Sequence, residues 1–61
     1  MMITDRVTFT EDYYKTQRRR VRYGVQGTIV GHSTTRPDHI VVQFDDKHYR
    51  VTYPIAVLKK I

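Results

Sequence analysis

The sequence predicts an all-β fold: a small five-stranded barrel forming a single domain over residues 1–61. Three observations carry that expectation. Apolar and polar residues alternate with period 2 in several short runs, β-branched residues fill those runs, and most intervals between them are turn-sized and carry Pro or Asp. A chain of 61 residues, 39% of them hydrophobic, has room for one small core. A solvated basic tail would not carry so much patterned apolar content.

The first run, "RVTFT", puts Val7 and Phe9 on one face and Arg6, Thr8 and Thr10 on the other, as a half-buried strand requires. The interval from Glu11 to about Arg22 reads as the one long loop. "GTIVGHS" from Gly27 is a second β-branched strand, and Gly24 and Gly27 at its entry allow a bulge or a sharp bend. "TTRPD" then supplies a turn, with Pro37 fixing φ and Asp38 offering a local acceptor. "HIVVQF" is the third strand, with Ile40, Val42 and Phe44 in phase. "DDK" connects it tightly to "HYRVTY", where Tyr49, Val51 and Tyr53 share a face. Pro54 cannot donate to a ladder, so "PIAVL" reads as a tight or 3₁₀ turn before a short last strand, "LKKI". The expected interior is Val7, Phe9, Ile29, Ile40, Val42, Phe44, Tyr49, Val51, Ile55, Val57 and Leu58.

This order of elements resembles the SH3-like small barrel, and two families within that architecture share pieces of the chain. "GVQGTIV", with Gly24, Gly27 and Ile29 after a basic loop, resembles the KOW type of domain, a resemblance that implies RNA or nucleoprotein contact. "DRV" (Asp5 to Val7), "GTIVG" (Gly27 to Gly31) and "YPIAVLKKI" (Tyr53 to Ile61) are similar to the plasmid-borne type II dihydrofolate reductases of trimethoprim resistance. Those enzymes are tetramers around a pore. The resemblance implies a scaffold but not the chemistry. The family's Val-Gln-Ile-Tyr motif falls on Arg50, Val51, Thr52 and Tyr53, so only the tyrosine is kept, and the lysine that helps bind cofactor phosphate would lie near Phe9. A small basic barrel with decayed enzyme-like motifs suits a phage or mobile-element product.

No other catalytic pattern stands out. Cysteine is absent, which excludes disulfides, thiolate metal sites and a cysteine nucleophile. His32, His39 and His48 match no compact ligand spacing and fall at strand ends or turns, so no metal or other cofactor is expected. Ser33 with His32 or His39 and Asp38 lacks the surroundings of a hydrolytic triad. Asp45 and Asp46 are explained by the turn preference of Asp. The chain reads as a binding module, not an enzyme.

The binding signal is "EDYYKTQRRRVRYG". Eleven Lys and Arg against six Asp and Glu give a net charge of +5, and five of the positive residues fall between Lys15 and Arg22. Arginine forks suit phosphate, and tyrosine rings suit an unstacked base. The expected contact set is Tyr13, Tyr14, Lys15, Arg18, Arg19, Arg20 and Arg22, extended by Arg50, with Tyr23 the tyrosine expected to fold back on the barrel. Lys59 or Lys60 would widen the positive surface if their faces agree. Nucleic acid or a nucleoprotein is the first expected partner, and an acidic or apolar protein surface the alternative. A barrel this small also gains from forming a homo-oligomer. No apolar run approaches the roughly 20 residues of a membrane span, and Asp5 and Arg6 interrupt any leader-like segment. A cytoplasmic location is therefore expected.

Overall fold

Alternation at Val7 and Phe9, and again at Ile40, Val42 and Phe44, gives each strand one apolar face; in the computed structural model, which describes residues 1–61, those faces form the core. The elements run β1 (Arg6–Phe9), α1 (Glu11–Thr16), β2 (Gln26–His32), β3 (His39–Phe44), β4 (Arg50–Pro54), a one-turn 3₁₀ helix (Ile55–Val57) and β5 (Leu58–Lys60). All neighbouring strands pair antiparallel in one sheet of order β4-β3-β2-β1-β5. The small five-stranded all-β plan and the 3₁₀ turn before the last strand are as the sequence predicts. No helix is long and apolar enough to cross a membrane.

The sheet is strongly curled. In a flat sheet β1 and β4, three strand intervals apart, would be separated by about 14 Å. Yet the rings of Phe9 on β1 and Tyr53 on β4 have centroids 5.1 Å apart. Closing the sheet this far requires a break in regular pairing, and β2 supplies it: Ile29 pairs with Val42 and Gly31 with Val41, so Val30 is an extra residue in a bulge. The bulge lies beyond the glycines where the sequence suggested it. Gly24 instead takes φ +80° in the turn before β2. Gly27 allows close approach, since a Cβ there would lie 2.9 Å from both the Gln43 carbonyl oxygen and Val42 Cγ1.

Eight buried side chains make the core: Val7, Phe9, Tyr14, Ile29, Ile40, Val42, Phe44 and Leu58, with Val57 and Tyr53 packed against it. Three expected members stay outside. Val51 is only half-buried on the edge strand β4. Tyr49 is 59% exposed because the β3–β4 connection is wider than "DDK" suggests, running from Asp45 to Tyr49 before pairing resumes at Arg50. Ile55 is 38% exposed, since a single 3₁₀ turn presents only part of its surface inward and Val57 takes that side.

The long connection from β1 to β2 is the largest departure from expectation, because its first half is helical rather than loop. Thr10 caps α1, its hydroxyl accepting from the Tyr13 amide at 3.3 Å, and Glu11 and Asp12 occupy the first turn, where acidic charge favours a helix. Six residues cannot hold a helix alone in water. Tertiary packing holds this one, through Tyr13 and Tyr14 against Phe9 at centroid distances of 4.6 and 5.9 Å.

Arg6 ties β1 to the β3–β4 turn. Its guanidinium donates to both carboxylate oxygens of Asp45, at 3.0 and 2.6 Å, and also to Thr28 Oγ1 at 2.9 Å. The hydrogen bond from Arg6, reinforced by its charge, holds the Asp45 carboxyl below the ordinary carboxylate range. Asp38 is lowered in the same way by its hydrogen bond with His39.

Two outcomes follow from this packing. Gly27→Ala should destabilise the domain by about 1–3 kcal/mol, because the new methyl group meets a ladder carbonyl that cannot move aside; thermal or urea unfolding measures it. A depressed folded pKa contributes stability that is present above the unfolded pKa and lost as pH falls through the folded one. Arg6→Gln should therefore unfold with a shallower loss of stability below about pH 4 than the parent chain, the Asp38 contribution being common to both.

Candidate functional site

The arginines that follow α1 do not trail into solvent as a free loop. Gln17 O accepts from the amides of Arg20 and Val21 at 2.9 and 3.0 Å, which folds Arg18 to Arg20 into a tight turn. Val21 and Val25 are half-buried and pack against the core, pinning the segment at two points. Between this segment and the edge of the sheet lies a cleft of about 370 Å³. Its deep side is apolar, made by the buried rings of Phe9 and Phe44 with half-buried Val51 and Tyr53. Its exposed sides are Arg18, Arg19, Arg20 and Arg22 from one strip of chain, and Asp46, Lys47 and Tyr49 from the β3–β4 turn.

Strand periodicity decides which residues of β4 reach the cleft. Val51 and Tyr53 share the inward face, opposite Val42 and Ile40, and both line it. Arg50 and Thr52 alternate outward, so Arg50 lies on the far face of β4 and does not extend the arginine wall. Burial raises the Tyr53 phenol pKa, with lesser contributions from Tyr13, Tyr49 and Asp46. Tyr53 therefore presents a neutral hydroxyl at physiological pH.

The tyrosines of the basic segment are placed differently from expectation. Tyr14 is buried at 7% exposure, with its hydroxyl 2.8 Å from Thr8 Oγ1 and accepting from the Gly24 amide at 3.2 Å. It is a core residue and cannot stack on a ligand. Tyr13 is half-buried and stacked on Phe9, away from the cleft. Tyr23, expected to fold back on the barrel, is instead 72% exposed and donates to Glu11 Oε1 at 3.1 Å, a bond that raises its pKa. Buried Tyr14 occupies the place beneath it, with their centroids 4.8 Å apart. Aromatic residues do meet the arginines, but they are Tyr49, Tyr53, Phe44 and Phe9, which the strands deliver.

Beside the cleft is a second hollow of about 440 Å³, lined only by polar residues: Lys15, Thr16, Gln17, Arg18, Arg19 and Arg20. Arg18 to Arg20 thus form a ridge with an aromatic-floored cleft on one side and a cationic hollow on the other. Lys59 and Lys60 border a different depression, near Tyr23 and Glu11, and Lys60 Nζ is 3.7 Å from Asp5 Oδ1. They add nothing to this ridge.

Charge on the molecule is segregated. Asp45 is engaged by Arg6, Asp5 by Lys60, Asp38 by His39 and Glu11 by Tyr23. None of Arg18, Arg19, Arg20 and Arg22 takes part in an ion pair. The four guanidinium groups therefore face solvent uncompensated, with Asp46 the single acid among the residues lining the cleft. No cluster of three or more His, Cys, Asp or Glu side chains converges anywhere. No family model, curated protein or solved structure matches this chain.

The internal role of Tyr14 is directly testable. Tyr14→Phe should lower stability by about 1–2 kcal/mol, because the Gly24 amide and Thr8 hydroxyl lose a buried partner. Any ligand affinity of the folded variant should stay at the parent value. Denaturant unfolding and binding titration on one preparation measure both.

Proposed function

We propose that this protein is a binding module for single-stranded nucleic acid, with the Arg18–Arg22 ridge taking phosphates and the adjoining cleft taking a base. One observation carries the reading: four arginines without acidic partners border a cleft floored by aromatic rings. Guanidinium groups bind phosphate by charge-assisted forked hydrogen bonds. Phe9 and Phe44 are buried, so the faces open to a ligand are those of exposed Tyr49 and half-buried Tyr53; such a face is of use to a base only where that base is unstacked, which favours single strands over duplex. A chain with net charge +5 also attracts a polyanion at long range. An acidic protein surface would satisfy the arginines but would leave the aromatic floor without a function.

Nothing in this reading requires catalysis. At the segment where the resembled reductases carry their working motif, Val51 faces the cleft and offers no hydrogen bond, while Thr52 faces away. The module is read as binding with low sequence specificity along the phosphates, either on free nucleic acid or within a nucleoprotein assembly.

Salt sensitivity tests this. Affinity for a single-stranded oligonucleotide, followed by fluorescence anisotropy, should fall with a log–log salt slope of about −0.7 per phosphate contact, approaching about −3 if all four arginines engage. Arg18, Arg19 and Arg20 changed together to Ala should reduce the slope by about 2 and affinity by at least about tenfold, with unfolding unchanged because all three are exposed. Salt-independent binding, or unaltered binding by the triple variant, would rule the reading out.

A further inference from the structure

Asp46 is the anomaly of the cleft. A site that served only to attract phosphate would gain nothing from a carboxylate on its wall, yet Asp46 lines the cleft together with Tyr49, Tyr53 and the arginines. None of the chain's ion pairs includes Asp46. Its position is held by its neighbours. Asp45, the preceding residue, is clamped by the Arg6 fork, the Lys47 amide donates to Phe44 O at 3.1 Å, and Gln43 Nε2 donates to Lys47 O at 2.7 Å. The backbone of the turn is therefore held, and it presents the exposed carboxylate of Asp46 beside Tyr49 and Tyr53, on a different stretch of chain from the arginine wall.

An ionised carboxylate only accepts hydrogen bonds, with two oxygens side by side. The nucleobases differ sharply in what they can offer it. Guanine presents a ring N–H and an exocyclic amino group pointing the same way, a donor pair that matches both oxygens. Adenine and cytosine offer an amino group beside an acceptor nitrogen. Thymine and uracil offer one N–H between two carbonyl oxygens, which a carboxylate repels. Asp46 lines the cleft with Tyr49 and Tyr53, so a base lying on those two rings would have the carboxylate among the groups open to its pairing edge. The volume of about 370 Å³ has room for one base.

We infer that the cleft is a seat for one unpaired nucleobase in which Asp46 selects donor-bearing edges, guanine foremost. The inference rests on the nucleic-acid reading above and adds to it a base preference where the ridge alone would have none. The neighbouring hollow, lined by Lys15 and Arg18 to Arg20, offers cations to a further phosphate of the same strand.

The test uses the full chain and short labelled abasic sugar-phosphate strands carrying a single central guanine, adenine, cytosine or thymine, beside an all-abasic strand of the same length. The guanine strand should bind about tenfold tighter than the thymine strand, and the thymine strand tighter than the abasic one through stacking, again by up to about tenfold. Asp46→Asn, a change at an exposed side chain outside every ion pair, should bring guanine and thymine to within about twofold while leaving the salt slope in place. Equal binding of all five strands with the salt slope intact would overturn the base seat and leave the phosphate-binding reading standing. A guanine preference that survives Asp46→Asn would overturn the role of Asp46. Failure of every strand to bind would remove both this inference and the reading beneath it.

Discussion

The structure is organised around the ring of Phe9. It stacks on Tyr13 at 4.6 Å and on Phe44 at 4.8 Å, and meets Tyr14 and Tyr53 edge-on at 5.9 and 5.1 Å, so one side chain joins β1, α1, β3 and β4. Truncating a buried Phe typically costs about 3–5 kcal/mol. A 61-residue domain has a total stability of only about 3–9 kcal/mol. The fold therefore depends on this contact more than on any ion pair, all of which lie at or near the surface, where solvent screens them.

The same ring explains how the candidate site arises. By drawing Tyr53 across from the far edge of the sheet, Phe9 closes the curl and sets the β3–β4 turn against the segment that follows α1. By receiving Tyr13 and Tyr14 it anchors that segment's start, while Val21 and Val25 anchor its end. The arginines between these anchors are left with exposed side chains on a constrained backbone. Much of the conformational entropy that a loose basic loop would lose on binding is lost on folding instead, a form of preorganisation.

Charge segregation is the second organising feature. Four of the six acids are engaged with Arg6, Lys60, His39 or Tyr23, at positions outside the cleft. Of the cations left unpaired, Lys15, Arg18, Arg19, Arg20, Arg22 and Lys47 border the cleft or the hollow beside it, while Arg36, Arg50 and Lys59 lie elsewhere; those at the cleft sit close to a low-polarity floor where electrostatic attraction is less screened than in open water. Asp46 interrupts that field at one point. A local reversal of sign beside an aromatic surface is chemistry suited to distinguishing one base edge from another, whereas a uniformly positive surface distinguishes none.

Sequence alone determined the all-β class, the order of five strands, the 3₁₀ turn and most of the core, because alternation, β-branching and proline geometry are local properties that short windows express. It also determined that Arg18, Arg19, Arg20 and Arg22 form an excess of positive charge. The helix at Glu11–Thr16 was legible in part, as Thr10 followed by two acids is an N-cap signal, but six residues are too few for propensity to decide, and packing on Phe9 decided it. Only the tertiary structure could show that Tyr14 belongs to the core, that Tyr23 faces solvent, and that Arg50 points away from the other arginines while Tyr49, Tyr53 and Asp46 meet them. Those facts depend on how far the sheet curls and where its bulge falls, and such contacts, between residues 10 to 44 positions apart, leave no trace in local patterning.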